Sequence, residues 1–193
     1  MKKTIITSCI ALISLGVFSQ NEHSNHNMNS ETKQESTTPK KVLSPHTSAM
    51  AMIGDAHVHI DYSSPSVRNR MVFGGLVGYN TVWQAGAHKA TWIETNKALK
   101  IDGKVLPAGK YGFFVVPGKE SWKVMFNSNW DQHGKDEYSE AEDILVTNVK
   151  LNKLEKTQES LVYDVKKKKE NMGVISLAWE TSQIEIPFEV LQK

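Results

Sequence analysis

The chain has 193 residues, 39% hydrophobic and 23% charged, and a formal net charge of +2, values ordinary for one globular domain with extensions. So near a balance of charge offers no support for nucleic-acid or anionic-membrane binding. The single cysteine excludes an intrachain disulfide, and beyond the N-terminus no apolar run approaches the roughly 20 residues of a spanning helix.

Lys2 and Lys3 precede an apolar run from Ile5 to Phe18, and Val17 and Ser19 occupy the small-residue positions that a signal peptidase reads. Residues 1–19 are therefore predicted to be a signal peptide, and the protein to be exported, periplasmic or extracellular. Cleavage there removes two of the 23 basic residues and leaves the mature chain neutral against its 21 acidic ones. It also removes Cys9, which follows too short an apolar stretch for a lipoprotein signal. Residues 20–42 change to Asn, Ser, Thr, Glu, Lys and Gln, with too little apolar surface to offset the entropy of ordering. They are predicted to form a disordered polar linker, in which His23, His26 and Met28 read as solvated residues rather than ligands.

Residues 43–193 are expected to be a single β domain. Thr47 to Ile53 and Ala56 to Tyr62 flank Gly54-Asp55, and a glycine in the first central position suits a two-residue type II′ hairpin turn. That turn sets a register in which Met52 faces His57, Met50 faces His59 and Ser48 faces Asp61 on one side of the sheet. The other side receives Ala49, Ala51, Ile53, Val58, Ile60 and Tyr62, the natural core face. Ser63 to Arg70 reads as a turn-rich loop, and Met71 to Tyr79 is glycine-interrupted without a clear period. Trp83 to Ala90 reads as a loop or short helical turn carrying His88. Further strands are predicted at Thr91 to Thr95, Ala98 to Ile101, Lys110 to Val116 and Trp122 to Asn127, punctuated by Asp102-Gly103 and Pro117-Gly118. A polar loop from Ser128 to Glu140 contains His133. Strand signals resume at Ile144 to Leu151, Leu161 to Val165, Gly173 to Trp179 and Gln183 to Val190, and the run Lys166 to Lys169 reads as a solvated hairpin loop. Many short strands without a helical period indicate an all-β fold, an antiparallel β-sandwich or jelly-roll-like domain behind a disordered N-terminal extension.

His57 and His59 alternate with Val58 and Ile60, so both imidazoles leave a strand on one face. Neutral imidazole is the commonest protein ligand for zinc, copper and nickel. A transition-metal site, copper or zinc, is thus the sharpest chemical expectation. His57, His59, His88 and His133 are its candidate nitrogen ligands, with Asp61 or Asp131 to orient a ring. Thioethers from Met50 or Met52 would favour copper(I), whereas an all-nitrogen set would suit zinc or copper(II). Against this stands a plainer account, in which the histidines are half-exposed polar residues and the methionines packing filler. Asp55-Ala56-His57-Val58-His59 matches the Asp-x-His-x-His motif of amidohydrolases, but those are α/β barrels and nothing here alternates strand with helix. Gly74-Gly75 and Gly78 lack the lysine and following helix of a phosphate loop, so no nucleotide cofactor is expected. No Gly-x-Ser-x-Gly elbow exposes a serine nucleophile. Trp83, Trp92, Trp122, Trp130 and Trp179 would line a carbohydrate groove if exposed, although strand positions make burial the default for Trp92, Trp122 and Trp179.

The blocks SPHTSAMAMIGDAHVHIDYSSPSVRNR, VFGGLVGYNTVWQAGAHKAT, LPAGKYGFFVVPGKESWKVMFN and SLAWE resemble the secreted bacterial proteins grouped as domain of unknown function family 2911, over roughly Leu43 to Phe188. The resemblance implies an exported, predominantly β protein and supplies no agreed activity, cofactor or catalytic residue. The chain differs from the commoner family pattern at Gln84-Ala85-Gly86-Ala87-His88, at the first hairpin with His46, Met50, Met52, His57 and His59, and at His133. All five histidines of the predicted domain fall at these departures, which strengthens the metal expectation. The sequence is thus read as an exported β-sandwich binding protein with a His/Met transition-metal site, its partner a metal ion or small ligand. Two alternatives stay open: a metal-dependent hydrolase or redox enzyme, which needs an open coordination position beside a base such as Asp61 or Asp131, and a metal-free module that binds a protein partner or glycan.

Overall fold

The computed structural model describes residues 42–192; the predicted signal peptide and nearly all of the predicted linker, with Cys9, His23, His26 and Met28, lie outside them. Ten strands and one short 3₁₀ turn, Glu140–Glu142, make up the regular structure, with no α-helix among the described residues. No helix there is long and apolar enough to cross a membrane.

The first two strands form the predicted hairpin, β1 (His46–Ile53) and β2 (Ala56–Ser63). Gly54 stands at φ +58 while Asp55 is not left-handed, as a type II′ turn requires. The observed register pairs Met52 with His57, Met50 with His59 and Ser48 with Asp61, as the turn predicts. Ile53, Val58, Ile60 and Tyr62 point inward and are buried. The remaining strands are β3 (Trp92–Thr95), β4 (Leu99–Ile101), β5 (Lys104–Leu106), β6 (Gly109–Val116), β7 (Ser121–Asn127), β8 (Asp143–Lys150), β9 (Asn152–Lys169) and β10 (Met172–Val190).

They build two antiparallel sheets, six strands in the order β1-β2-β3-β6-β7-β8 and four in the order β5-β4-β10-β9. This is the expected β-sandwich. Alternate residues of both sheets, such as Phe113, Trp122, Val124 and Phe126 from one and Leu161, Leu177, Ile184 and Ile186 from the other, share one core. The glycine-interrupted stretch at 71–83 forms turns whose Phe73 and Trp83 reach into that core. Phe73 lies 4.7 Å from Trp122 and 6.0 Å from Trp179, and Trp83 stacks on Trp179 at 5.6 Å.

Two expectations need correction. Lys166 to Lys169 is not a loop, because β9 runs through it, with Lys169, Lys167 and Lys166 paired to Met172, Gly173 and Val174. All four lysines stay exposed, so the ladder forms without desolvating a charge. The two predicted strands at 173–179 and 183–190 are one strand, β10, whose register shifts on both sides of Glu180. Glu180 takes φ +55, and this bulge reverses the inward parity from Ile175, Leu177 and Trp179 to Ile184, Ile186 and Phe188.

A Cβ on Gly54 would be forced into the left-handed region and would stand 2.5 Å from Asn171 Oδ1 of the β9–β10 turn. Gly54→Ala is therefore expected to lower stability by about 1–2 kcal/mol, read as a fall in the urea midpoint at unchanged m-value.

Candidate functional site

Four of the candidate residues, Met50, Met52, His57 and His59, meet on the outer face of the six-stranded sheet. In a two-residue hairpin the closing pair, here Ile53 and Ala56, is hydrogen-bonded, so Met52–His57 and Met50–His59 occupy the closer, non-hydrogen-bonded positions. The His57 N–H accordingly points away from β1 and donates to Asn96 Oδ1 at 2.7 Å. Met50 and Met52 are 57% and 55% exposed, so they are not packing filler. His57 and His59 are half-buried, with ring centroids 6.0 Å apart. His59 Nε2 is buried and has no hydrogen-bond partner among the described residues. An imidazole nitrogen in that state has lost hydration with no compensating bond, at a cost of about 1–3 kcal/mol.

The ladder extends this face across the sheet. His59 faces Glu94, which faces Lys110, while Asp61 faces Trp92, which faces Gly112. Gly112 permits a close approach: a Cβ there would stand 3.0 Å from the Asn129 carbonyl oxygen and 3.3 Å from Trp130 Cα. Trp130 can therefore lie beside Trp92, 6.3 Å between centroids, with Lys110 Nζ held 3.5 Å from one ring centre and 3.7 Å from the other. His59 packs edge-on against Trp92 at 5.0 Å. Trp92 is thus half-buried on the outer face, against the expectation of core burial, because Ile93 and Thr95 take the inward positions of β3. At the hairpin tip Lys97 Nζ lies 2.6 Å from Asp55, and this ammonium holds the Asp55 carboxyl below the usual carboxylate range.

Neither aspartate expected to orient a ligand ring does so. Asp61 Oδ1 pairs with His46 Nε2 at 2.8 Å, a diagonal contact that the register implies but that sequence reasoning overlooked. Asp131 accepts from Lys89 Nζ at 3.1 Å. The carboxylate beside His133 is Asp136, 3.4 Å from Nδ1.

His88 and His133 form a second cluster, in loops. Lys89 bridges to His133, and the Gly134 N–H donates to the His88 carbonyl at 2.8 Å, so both imidazoles border one cleft with Gln84, Lys135 and Asp136. No residue of β1 or β2 borders it. Among the described residues no three His, Cys, Asp or Glu side chains are grouped to hold a metal ion. The structure therefore joins His57, His59, Met50 and Met52, separately joins His88 and His133, and does not unite the two sets. The loop carrying His88 is strained, with Ala85 at φ +53 and His88 at φ +63. It is held from below, where the Ala85 carbonyl accepts from Tyr163 Oη at 2.7 Å and Thr91 Oγ1 at 3.0 Å. Burial pushes the Tyr163 phenol well above its ordinary value. Burial, with a hydrogen bond to Asp143, raises that of Tyr138 as well.

A cation between two half-exposed indoles contributes about 0.5–1 kcal/mol. A Lys110→Ala/Trp130→Ala double-mutant cycle in urea is expected to show coupling of about that size, and strict additivity would remove the interaction from the account.

With this geometry in place, the comparisons with known proteins add one assignment. The chain belongs to the family described as Protein of unknown function (DUF2911), which matches residues 44–188. No curated protein and no solved structure matches it.

Proposed function

We propose that the β-sandwich binds a soft transition-metal ion, copper(I), on the open face of the β1–β2 hairpin through His57, His59, Met50 and Met52. The observation that carries this reading is the pair of adjacent Met–His rungs, Met52–His57 and Met50–His59, on one exposed face. With metal–nitrogen bonds of about 2.0 Å, two imidazoles on one ion have centroids roughly 5–6 Å apart. The 6.0 Å separation of His57 and His59 suits that span. His59 Nε2, buried without a partner among the described residues, is the atom that gains most from coordination. Met50, its cross-strand partner, has flexible torsions and a largely exposed side chain, so its thioether is free to move to an ion at that nitrogen.

The donor set favours copper(I) over zinc. Thioethers are soft ligands that select copper(I), whereas a structural zinc site takes four Cys, His or carboxylate ligands, and no three of these are grouped among the described residues. His88 and His133 take no part in this ion's shell. Two histidines and two methionines fill a four-coordinate shell, and Asp61, the nearest candidate base on the hairpin, is already paired with His46. Ion binding is accordingly favoured over turnover. Export, the signal peptide and the linker remain part of the proposal as the setting in which such an ion would be met.

One observation favours a second reading. Trp92 and Trp130 lie beside His59, and this aromatic edge is what a sugar ring or a protein partner would use on a metal-free surface.

Competition for copper(I) against bathocuproine disulfonate, under ascorbate and on protein purified without a histidine tag, tests the proposal. The expected result is one ion per chain, with affinity reduced about tenfold or more in Met50→Leu/Met52→Leu, lost in His57→Ala/His59→Ala, and unchanged in His23→Ala/His26→Ala. Stoichiometry and affinity unchanged in both hairpin variants would overturn it.

A further inference from the structure

The strained loop that carries His88 also forms one wall of a cleft that none of Met50, Met52, His57 and His59 lines. The cleft has a volume of about 330 Å³, near the lower end of the roughly 300–1,000 Å³ of small-molecule sites. Pro65, Val77, Val82, Trp83 and Trp179 supply an apolar wall, and Gln84, His88 and Lys135 stand at its rim. Trp83 and Trp179 are buried and stacked, 26° between planes, so the floor is rigid and aromatic.

The loop is fixed from several sides at once. Trp83 Nε1 donates to the Gly86 carbonyl at 2.9 Å, Tyr163 and Thr91 donate to the Ala85 carbonyl, and the Gly134 N–H donates to that of His88. Two non-glycine residues in the left-handed region, Ala85 and His88, persist because these contacts over-determine them. Their consequence is local: they turn the chain so that His88 and Gln84 border the same opening as Lys135.

Among the described residues no Asp or Glu lines this cleft, and none of their ion pairs involves Lys135. Asp136 borders the neighbouring cleft, which shares Gln84, His88 and Lys135 with this one, and there it faces His133. An ammonium, an imidazole and a carboxamide at the rim of an aromatic-floored cleft match a ligand with an anionic head and an apolar body.

We propose that this cleft binds a small organic monocarboxylate, its carboxylate at Lys135, His88 and Gln84 and its apolar body against Trp83 and Trp179. The site is independent of copper(I) at the hairpin, and the two are tested separately.

Titration of the whole chain with phenylacetate and with octanoate, by calorimetry and by tryptophan fluorescence, tests the assignment. Saturable binding of one acid per chain is expected, with a Kd of about 1 mM or tighter. Neutral 2-phenylethanol should bind about tenfold more weakly or worse. Lys135→Glu, at an exposed position, should weaken both acids by about tenfold or more, and Thr81→Trp, on the exposed rim, should block them while leaving copper(I) affinity unchanged, with a small fall in Tm from the lost Thr81 Oγ1 bond to the Gly78 carbonyl. No saturable binding of either acid, or equal binding by Lys135→Glu or of the neutral alcohol, would overturn it.

Discussion

The left-handed backbone of Gly54 fixes how β1 pairs with β2, and that pairing decides on which side of the sheet the imidazoles leave. A slip of β2 by one residue would carry Val58, Ile60 and Tyr62 out of the core and turn His57 and His59 into it. Each buried aliphatic or aromatic side chain stabilises by about 1.5–3 kcal/mol, so the alternative register is closed by the core alone. The Met–His rungs inherit that certainty. They are positioned by apolar residues on the far side of the same strands, with no help needed from an ion.

A second constraint bounds the exposed face. Beyond β3, residues of the 128–142 loop fold over the outer side of the six-stranded sheet, where Tyr138 packs on Phe114 at 4.9 Å beside Met125 and Ala90. The bare backbone at Gly112 lets this cover extend as far as Trp130 and no side chain props it away. Trp130, Lys110 and Trp92 then form a wall against which His59 packs. The hairpin half of the sheet stays open, with its two thioethers in solvent.

What sequence reasoning reaches, and what it misses, follows from where the information lies. The β1–β2 hairpin was legible down to its register, because a two-residue turn and period-two alternation are both local. The sandwich class was legible from the spacing of turns. The bulge at Glu180 was not, since its left-handed residue is no glycine and the interruption at Glu180-Thr181-Ser182 looks like any polar loop. Nor was the destination of Trp92 legible: its neighbours Ile93 and Thr95 take the core, and the partner that half-covers it, Trp130, lies far along the chain. His88 and His133 could be assigned to loops, but loop placement depends on long-range contacts such as Lys89 with His133 and Tyr163 with Ala85, for which sequence spacing holds no signal.

The central claim is that two nitrogens and two sulfurs on the β1–β2 hairpin hold one soft ion. X-ray absorption at the copper edge, on the chain loaded with one equivalent of copper(I), tests it most directly. A mixed shell of nitrogen and sulfur neighbours is predicted, with the sulfur contribution lost in Met50→Leu/Met52→Leu. A shell of nitrogen and oxygen alone, or sulfur that survives that double substitution, would contradict the account.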